Sequence, residues 1–196
     1  TGGPVFDQTK LNWLNGQYLR ALDSTQYTEQ LKGWMLNESK LSQLIPLVQE
    51  RAERLSDLLP LVGYLLGNLP ELTEADFEHK SLERAEVLKV LHHTLAAFDE
   101  MRDWQRHELF STCQALATTL DLKFRDFLFP LFIATSGRAV SLPLFDSWIF
   151  LGTNLSRARL RSALDSLGVS NKERKRLDKE YQVLHPALDA ARAGSN

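Results

Sequence analysis

Five histidines, one cysteine and several clustered carboxylates are the side chains that could do acid–base, nucleophilic or metal chemistry in this chain. Their spacing argues against most of it. His92 and His93 are adjacent, so on a helix they diverge by about 100° and do not converge readily on one ion. His107 stands two residues before Leu109 and belongs to another face. Cys113 shares helical spacing with the apolar Leu109 and Leu116, with no histidine at that spacing. A buried structural thiol is expected there, rather than a nucleophile. Asp99, Glu100 and Asp103 cluster around Arg102, and a solvated helix junction is the expected role of such a group. HExxH, GxSxG, GxGxxG and P-loop patterns do not occur. The sequence therefore assigns no catalytic residue and no metal ligand.

The cations are more telling. Between Thr153 and Lys179 stand Arg157, Arg159, Arg161, Lys172, Arg174, Lys175, Arg176 and Lys179, against Asp165, Glu173 and Asp178. The whole chain carries a net charge of −2, so positive charge is segregated toward the C-terminal third. Arg157 and Arg161 are four apart and share a helix face. Two readings stand: a solvated surface, or contact with phosphates, whose counterions the cations displace. The overall balance argues against nucleic-acid binding by the whole surface but leaves a local patch open.

These groups need elements to position them. The 196 residues, 43% hydrophobic and 24% charged, suit one medium domain or two small ones of soluble globular type. One cysteine excludes a disulfide framework and CxxC metal sites within the chain, and fits an intracellular protein. No apolar run reaches the roughly 18 residues of a membrane span, and no signal peptide is visible. The start at Thr1, without Met, is expected of a fragment. Helical spacing dominates and sustained alternation is absent.

Asp7 is expected to cap a helix with Leu11, Leu14 and Tyr18 on its apolar face, and Ser24 to start a second with Tyr27, Leu31 and Trp34. A third covers Ser39 to about Arg51, kinked or shortened by Pro46. Leu55 to Leu66 reads as a buried helix, followed by a turn and an acidic stretch that suggests a subdomain boundary. Long helices follow from Ser81 to about Met101, with Val87, Leu88, Leu91, Leu95 and Phe98 inward, and from an Asp103 cap to about Leu120. From Asp121 to Arg161 an apolar run ends at Ser136-Gly137-Arg138, a connector spans Ala139 to Pro143, and a second apolar run ends at Gly152. Helix Ser156 to Leu167 comes next. Ser170 and Glu173 form a capping box for the last helix, which His185-Pro186 is expected to break. The fold class is all-α, a helical bundle.

Two blocks carry a family resemblance. Phe6, Asp7, Lys10, Leu11, Trp13, Asn15, Gly16, Tyr18 and Arg20 resemble the FDxxKLxWxNGxYIR stretch of bacterial glutamyl-tRNA synthetases, just past their catalytic half. Leu122-Lys123 through Leu151-Gly152 and Arg157 to Leu164 look like that family's LK…P…A…TG…S…LF…LG…RL…AL signature near the anticodon-binding tip. The resemblance covers essentially the whole chain. It implies a class I C-terminal part built as an α-helix cage. Residues 1–23 would end the stem-contact region, and 24–72 and 73–196 would form two helical anticodon-binding subdomains.

The same resemblance implies a cytoplasmic, monomeric parent enzyme that ligates glutamate to tRNA(Glu) with ATP and Mg2+. Its HIGH and KMSKS motifs lie upstream, so no cofactor is expected on this fragment and no aminoacylation by it alone. Neither DNA nor a membrane is an expected partner. Arg54 falls where the family has an arginine that reads the third anticodon base and rejects the glutamine tRNA, and a surface role is the alternative. A donor fork penalises a wrong base by roughly 1–3 kcal/mol. Gln114 and Phe132 stand where the family has arginines, so base reading here would differ in detail. Phe132 is expected in the core, although an aromatic at that place could stack on a base. Ser141, Leu142 and Leu144 fall on the family's contact triplet, as loop residues that could meet unstacked bases. Arg138 and Ser141 would face the anticodon loop, with Arg157 and Arg161 near its phosphates. The competing reading is a helical protein–protein interaction module with no RNA binding, docking through the 81–101 helix.

Overall fold

The computed structural model describes residues 8–35, 37–67 and 71–193. Among them the regular elements are helices, and the only β pairing is one isolated antiparallel bridge between His79 and Leu82. The helices are α1 (Gln8–Ala21), α2 (Ser24–Met35), α3 (Glu38–Val48), α4 (Leu58–Leu66), α5 (Arg84–Glu100), α6 (Arg106–Thr119), α7 (Phe124–Ser136), α8 (Leu144–Ser166) and α9 (Asn171–Ala193), with 3-10 turns at Leu55–Asp57 and Glu74–Phe77. The chain is thus all-α, as its spacing predicts. Among the described residues, no helix is long and apolar enough to cross a membrane.

The chain forms two compact units that divide between Gln43 and Leu44. The sequence reading drew its divisions at 23/24 and 72/73 instead. In the first unit, Leu11, Leu14, Tyr18, Tyr27, Leu31 and Trp34 hold the expected helical spacing, but each is at least 42% exposed. The expected cap Asp7 lies outside the described residues. α2 starts at Ser24 as expected, and Asp23 caps it: its carboxylate accepts from the Gln26 N–H at 2.8 Å, and the Gln26 side chain accepts from the Asp23 N–H at 3.2 Å. Asn37 serves two helices. Its amide donates to Gly33 O at the end of α2, and its oxygen accepts from the Lys40 N–H at the start of α3.

The second unit takes α3 from Leu44 onward, with Leu44 and Val48 buried. Pro46 lies inside α3, which stops two residues later, the shortening expected of proline. α4 begins three residues after the expected start, and Leu55 is 96% exposed. α4 packs on α7 and α8, and the Glu74–Phe77 turn packs on α7 and buries Phe77. Both sides of residue 72 therefore share one core, which is why no compact unit ends there.

α5 is the centre of that core, in contact with α6, α7, α8 and α9. The expected inner face is buried, and Val90, Thr94 and Ala97 are buried on its other sides. A helix buried nearly all round offers no docking face, so the interaction-module reading loses its surface. α5 starts at Arg84 rather than Ser81, where the Glu86 carboxylate accepts the Glu83 N–H at 2.7 Å. Gln105, not Asp103, stands at the start of α6. Cys113 is fully buried, as expected.

Gly152 interrupts α8 with φ 73° and ψ 171°, so two helical segments meet there. Gly168, at φ 64°, ends α8 in a Schellman turn, with Gly168 N–H on Asp165 O and Val169 N–H on Leu164 O. The Ser170–Glu173 capping box then opens α9 as predicted, with the Ser170 N–H on Glu173 Oε2 at 3.0 Å and the Glu173 N–H on Ser170 Oγ at 3.2 Å. The break expected at His185-Pro186 does not occur, and α9 runs on to Ala193. Tyr181 and Leu188, buried on either side of Pro186, keep one face on the core. That packing offsets the missing backbone bond.

His92 and His93 lie in the α5–α9 interface, both buried. Despite their angular separation, their Nδ1 atoms are 3.3 Å apart, and His92 Nε2 is 2.9 Å from Asp178 Oδ1. Burial pushes both imidazoles below the usual histidine range, His93 to about 4. The Asp178 carboxylate opposes this at His92 without overcoming it.

Two outcomes follow. A histidine in the unfolded chain titrates near about 6.5, so stability should be full above that pH. The histidine contribution should fall as pH drops toward 4 and level off below, where Asp76 and Glu173, whose carboxyls are held below the usual range by bonds from Thr73 and Ser170, begin to lose theirs. His93 alone contributes up to about 3 kcal/mol of that loss. Urea midpoints across this range check it, and His93→Gln should flatten the profile. Gly152→Ala should destabilise the fold by about 1–3 kcal/mol through backbone strain alone, since no atom lies within 4 Å of the added Cβ. Thermal melting reads that loss.

Candidate nucleic-acid interface

The connector between α7 and α8 is held by its ends. Gly137, at φ 71°, closes α7 with its N–H on Ile133 O at 2.8 Å. The Ser136 hydroxyl donates to Phe132 O at 2.9 Å and accepts the Arg138 N–H at 3.3 Å. At the other end Leu142 and Leu144 are 1% and 2% exposed, packed in the core. They anchor the connector and present no surface to a base, which corrects the expectation made for them. Apolar side chains at a helix entry gain more from the core than from solvent. Between these ends Arg138, Ala139 and Val140 are exposed and Ser141 is half-buried.

α4 braces this connector from the side. The Arg138 guanidinium donates to Pro60 O at 3.1 Å. The Tyr64 hydroxyl lies 2.6 Å from Ser147 Oγ, in the first turn of α8, and also bonds the Ser141 hydroxyl. Burial raises the Tyr64 pKa, so its phenol stays neutral. Behind it, Arg159 donates to Tyr64 O and Gly67 O at the end of α4 and to Thr135 O at the end of α7. One half-buried cation thus caps two helix C-termini, where carbonyls lack helical partners and the dipole is negative. Burial lowers the Arg159 pKa, and an arginine nonetheless stays charged.

The other predicted residues divide. Arg54 is exposed in the turn before α4, where Asp57 Oδ2 accepts the Glu53 and Arg54 N–H groups at 3.0 and 2.8 Å. Gln114 is exposed on α6, one turn beyond Phe110, whose ring meets that of Phe145 at 5.4 Å. Phe132 is partly buried against the core. Arg157 and Arg161 do share a face, but both are turned on Asp99. Arg157 Nε is 3.2 Å and Arg161 Nη2 2.9 Å from Asp99 Oδ1, and Arg157 also donates to Phe98 O near the end of α5. They pin α8 to α5, so their primary contacts are within the protein. The Asp99 cluster is accordingly an ion-paired junction, with Glu100 bonded to Tyr181 and His185.

What remains at the connector end is a mixed surface. The Arg138 guanidinium reaches the start of α4, which exposes Leu59; Val140 is exposed in the connector, and the turn before α4 exposes Leu55 and Arg54. Donor forks and exposed apolar side chains on one braced edge can meet a planar, polar ligand by hydrogen bonding and stacking. The sequence reading missed Arg159 and Tyr64. A signal existed for Arg159: in Arg157-x-Arg159-x-Arg161 the middle residue points about 200° from its neighbours. All three could not face solvent together. Among the described residues, no group of three His, Cys, Asp or Glu side chains could hold a metal ion.

Arg159→Met should destabilise the fold by about 2–4 kcal/mol, because buried carbonyls lose charge-assisted bonds. Arg159→Lys should recover only part of this, since an ammonium cannot span both helix ends. Urea denaturation of both variants measures it.

A family model described as an anticodon binding domain matches residues 26–164. A glutamate–tRNA ligase of Saccharophagus degradans is 43% identical over 185 residues, 93% of this chain and 37% of that protein. The glutamate–tRNA ligase of Alcanivorax borkumensis is 39% identical over 184 residues, with coverage of 93% and 37%. The chain thus spans about 37% of the length of these curated relatives. In the crystal structure of a glutamate tRNA ligase from Elizabethkingia meningosepticum, the likeness covers 85% of this chain and 34% of that one, with a TM-score of 0.61 and 19% identity. That likeness is one of fold. With the family model covering well over half of its residues, the chain belongs to the anticodon-binding domain family.

Proposed function

We propose that this chain recognises the anticodon arm of tRNA(Glu), as the anticodon-binding part of a cytoplasmic, monomeric glutamate–tRNA ligase. The observation that supports it best is the braced connector: buried Leu142 and Leu144 fix an exposed Arg138, which α4 steadies through Pro60 O. Arg138 and Ser141 bind the loop, Arg54 supplies a second donor fork, and Gln114 contributes from α6. The whole ligase joins glutamate to the tRNA with ATP and Mg2+, held by a part of the protein other than this chain. A positioned edge suits unstacked bases, which offer hydrogen-bonding edges and flat faces together. The rival docking role for the 81–101 helix has no exposed apolar face to support it.

Filter binding at low salt should show preference for tRNA(Glu) over an unrelated tRNA, and equal binding of the two would sink the proposal. Arg138→Ala with Ser141→Ala should weaken tRNA(Glu) binding about tenfold or more. The melting temperature should move by only a few degrees, because the bonds lost, Arg138 to Pro60 O and the Ser141 hydroxyl to Leu142 O, contribute about 1 kcal/mol each.

A further inference from the structure

The basic third of the sequence contains two kinds of cation, and the structure separates them. Arg157 and Arg161 pair with Asp99, Arg159 caps α4 and α7, and Arg174 pairs with Asp165 at 2.6 Å. The cations on the outer side of α9 are arranged otherwise. Lys172, Lys175, Arg176 and Lys179 are all exposed. Among the described residues no carboxylate pairs with Lys172, Lys175 or Lys179, and Arg176 has only Glu180, at 3.7 Å. On a helix these four positions fall within about 100° of one another and span about 10 Å along the axis.

The acidic residues of the same stretch are engaged with other groups. Glu173 binds Ser170 and reaches Arg84, Asp178 meets His92, and Glu180 pairs with Lys89 at 3.3 Å. The apolar side of α9, with Leu177, Tyr181 and Leu188, is buried in the core. α9 therefore presents a narrow, nearly unneutralised positive stripe. We infer that this stripe is a second RNA-binding surface, made of Lys172, Lys175, Arg176 and Lys179, that contacts the phosphate backbone without reading sequence. The inference rests on the anticodon-arm reading above and extends it beyond the loop.

The placement along α5 suits an elongated polyanion. Glu173 and Asp178 set the first turns of α9 beside Arg84, at the start of α5, and His92, at its middle. The start of α8, next to the connector, lies by the other end, where the Phe98 and Trp148 rings meet at 5.0 Å. The 17 residues of α5 extend about 25 Å. A ligand that meets both places must be long and charged along its length, as a nucleic-acid strand is. A membrane surface fits less well. A helix lying on lipid needs a broad apolar face beside its cations, and here only Val183 among the large apolar side chains of α9 is prominently exposed.

The test is the whole chain with Lys172→Gln, Lys175→Gln and Lys179→Gln together. Binding is measured against salt for an anticodon stem–loop of tRNA(Glu), an unrelated hairpin of the same length, and phosphatidylserine vesicles. The thermal melt should not change, because all three side chains are exposed. The expected result is a similar loss of affinity for both RNAs, with the slope of log K against log salt reduced by about 2–3. If the parent chain prefers the cognate hairpin and the variant keeps its affinity and slope, the stripe is only a solvated face, while the anticodon reading stands. If the parent chain binds both hairpins equally and the variant loses both, the stripe stands and the anticodon reading fails. Binding of the vesicles but of neither RNA overturns the inference in favour of a lipid surface, and binding of none overturns it outright.

Discussion

Arg159 is the constraint on which the arrangement of the second unit turns. A helix end leaves carbonyls without partners, and two such ends, those of α4 and α7, meet beside α8. Bringing them together sets negative ends against each other in a partly dry place. A planar cation with several donors resolves the conflict, where an ammonium would reach too few acceptors. The position of α4 follows, and with it the carbonyl that steadies Arg138. The exposed edge is thus fixed from behind by a group that never reaches it.

The connections around this cation show how the site is kept rigid without being buried. The Tyr64 hydroxyl links to Ser147 and Ser141, and the Trp148 indole donates to Thr135 Oγ1 at 2.9 Å, so both helices that flank the connector are tied at their near ends. Trp104 donates to Trp148 O at 2.9 Å, and its ring meets Phe98 at 4.9 Å. This chain of contacts runs from the connector to the end of α5, where Arg157 and Arg161 close on Asp99. The second unit therefore has a continuous frame of aromatic and charged groups over its apolar core. The first unit has no buried residue among those described, and its helices rest on caps such as Asp23 and Asn37.

What the sequence made legible was local. The spacing of Val87, Leu88, Leu91, Leu95 and Phe98 marked α5, the Ser170–Glu173 box marked α9, and Gly137 and Gly152 marked where helices stop. Each signal lies within a few residues and acts through backbone geometry or one face. Signals that need a distant partner were misread. The pairing of Arg157 and Arg161 was hidden because Asp99 is 62 residues away from Arg161 in sequence. Leu142 and Leu144 looked like loop residues because nothing nearby shows that the core reaches up to them. Pro186 looked like a break because its local cost is visible, whereas the compensation at Leu188 is tertiary. In the connector, Arg138 is exposed and Ser141 half-buried, and the brace behind them was not legible.

The short outward part of the connector has a consequence for how such a protein can change. Leu142 and Leu144 carry its structural duty, and Arg138 carries its bond to α4. Ala139 and Val140 are exposed between them, with the fold secured on both sides. Mutational drift at these two positions is nearly decoupled from stability, as surface substitutions away from special features change it little. The tip can thus be rewritten while the scaffold stays fixed, which makes its surface chemistry an evolvable trait of a few residues.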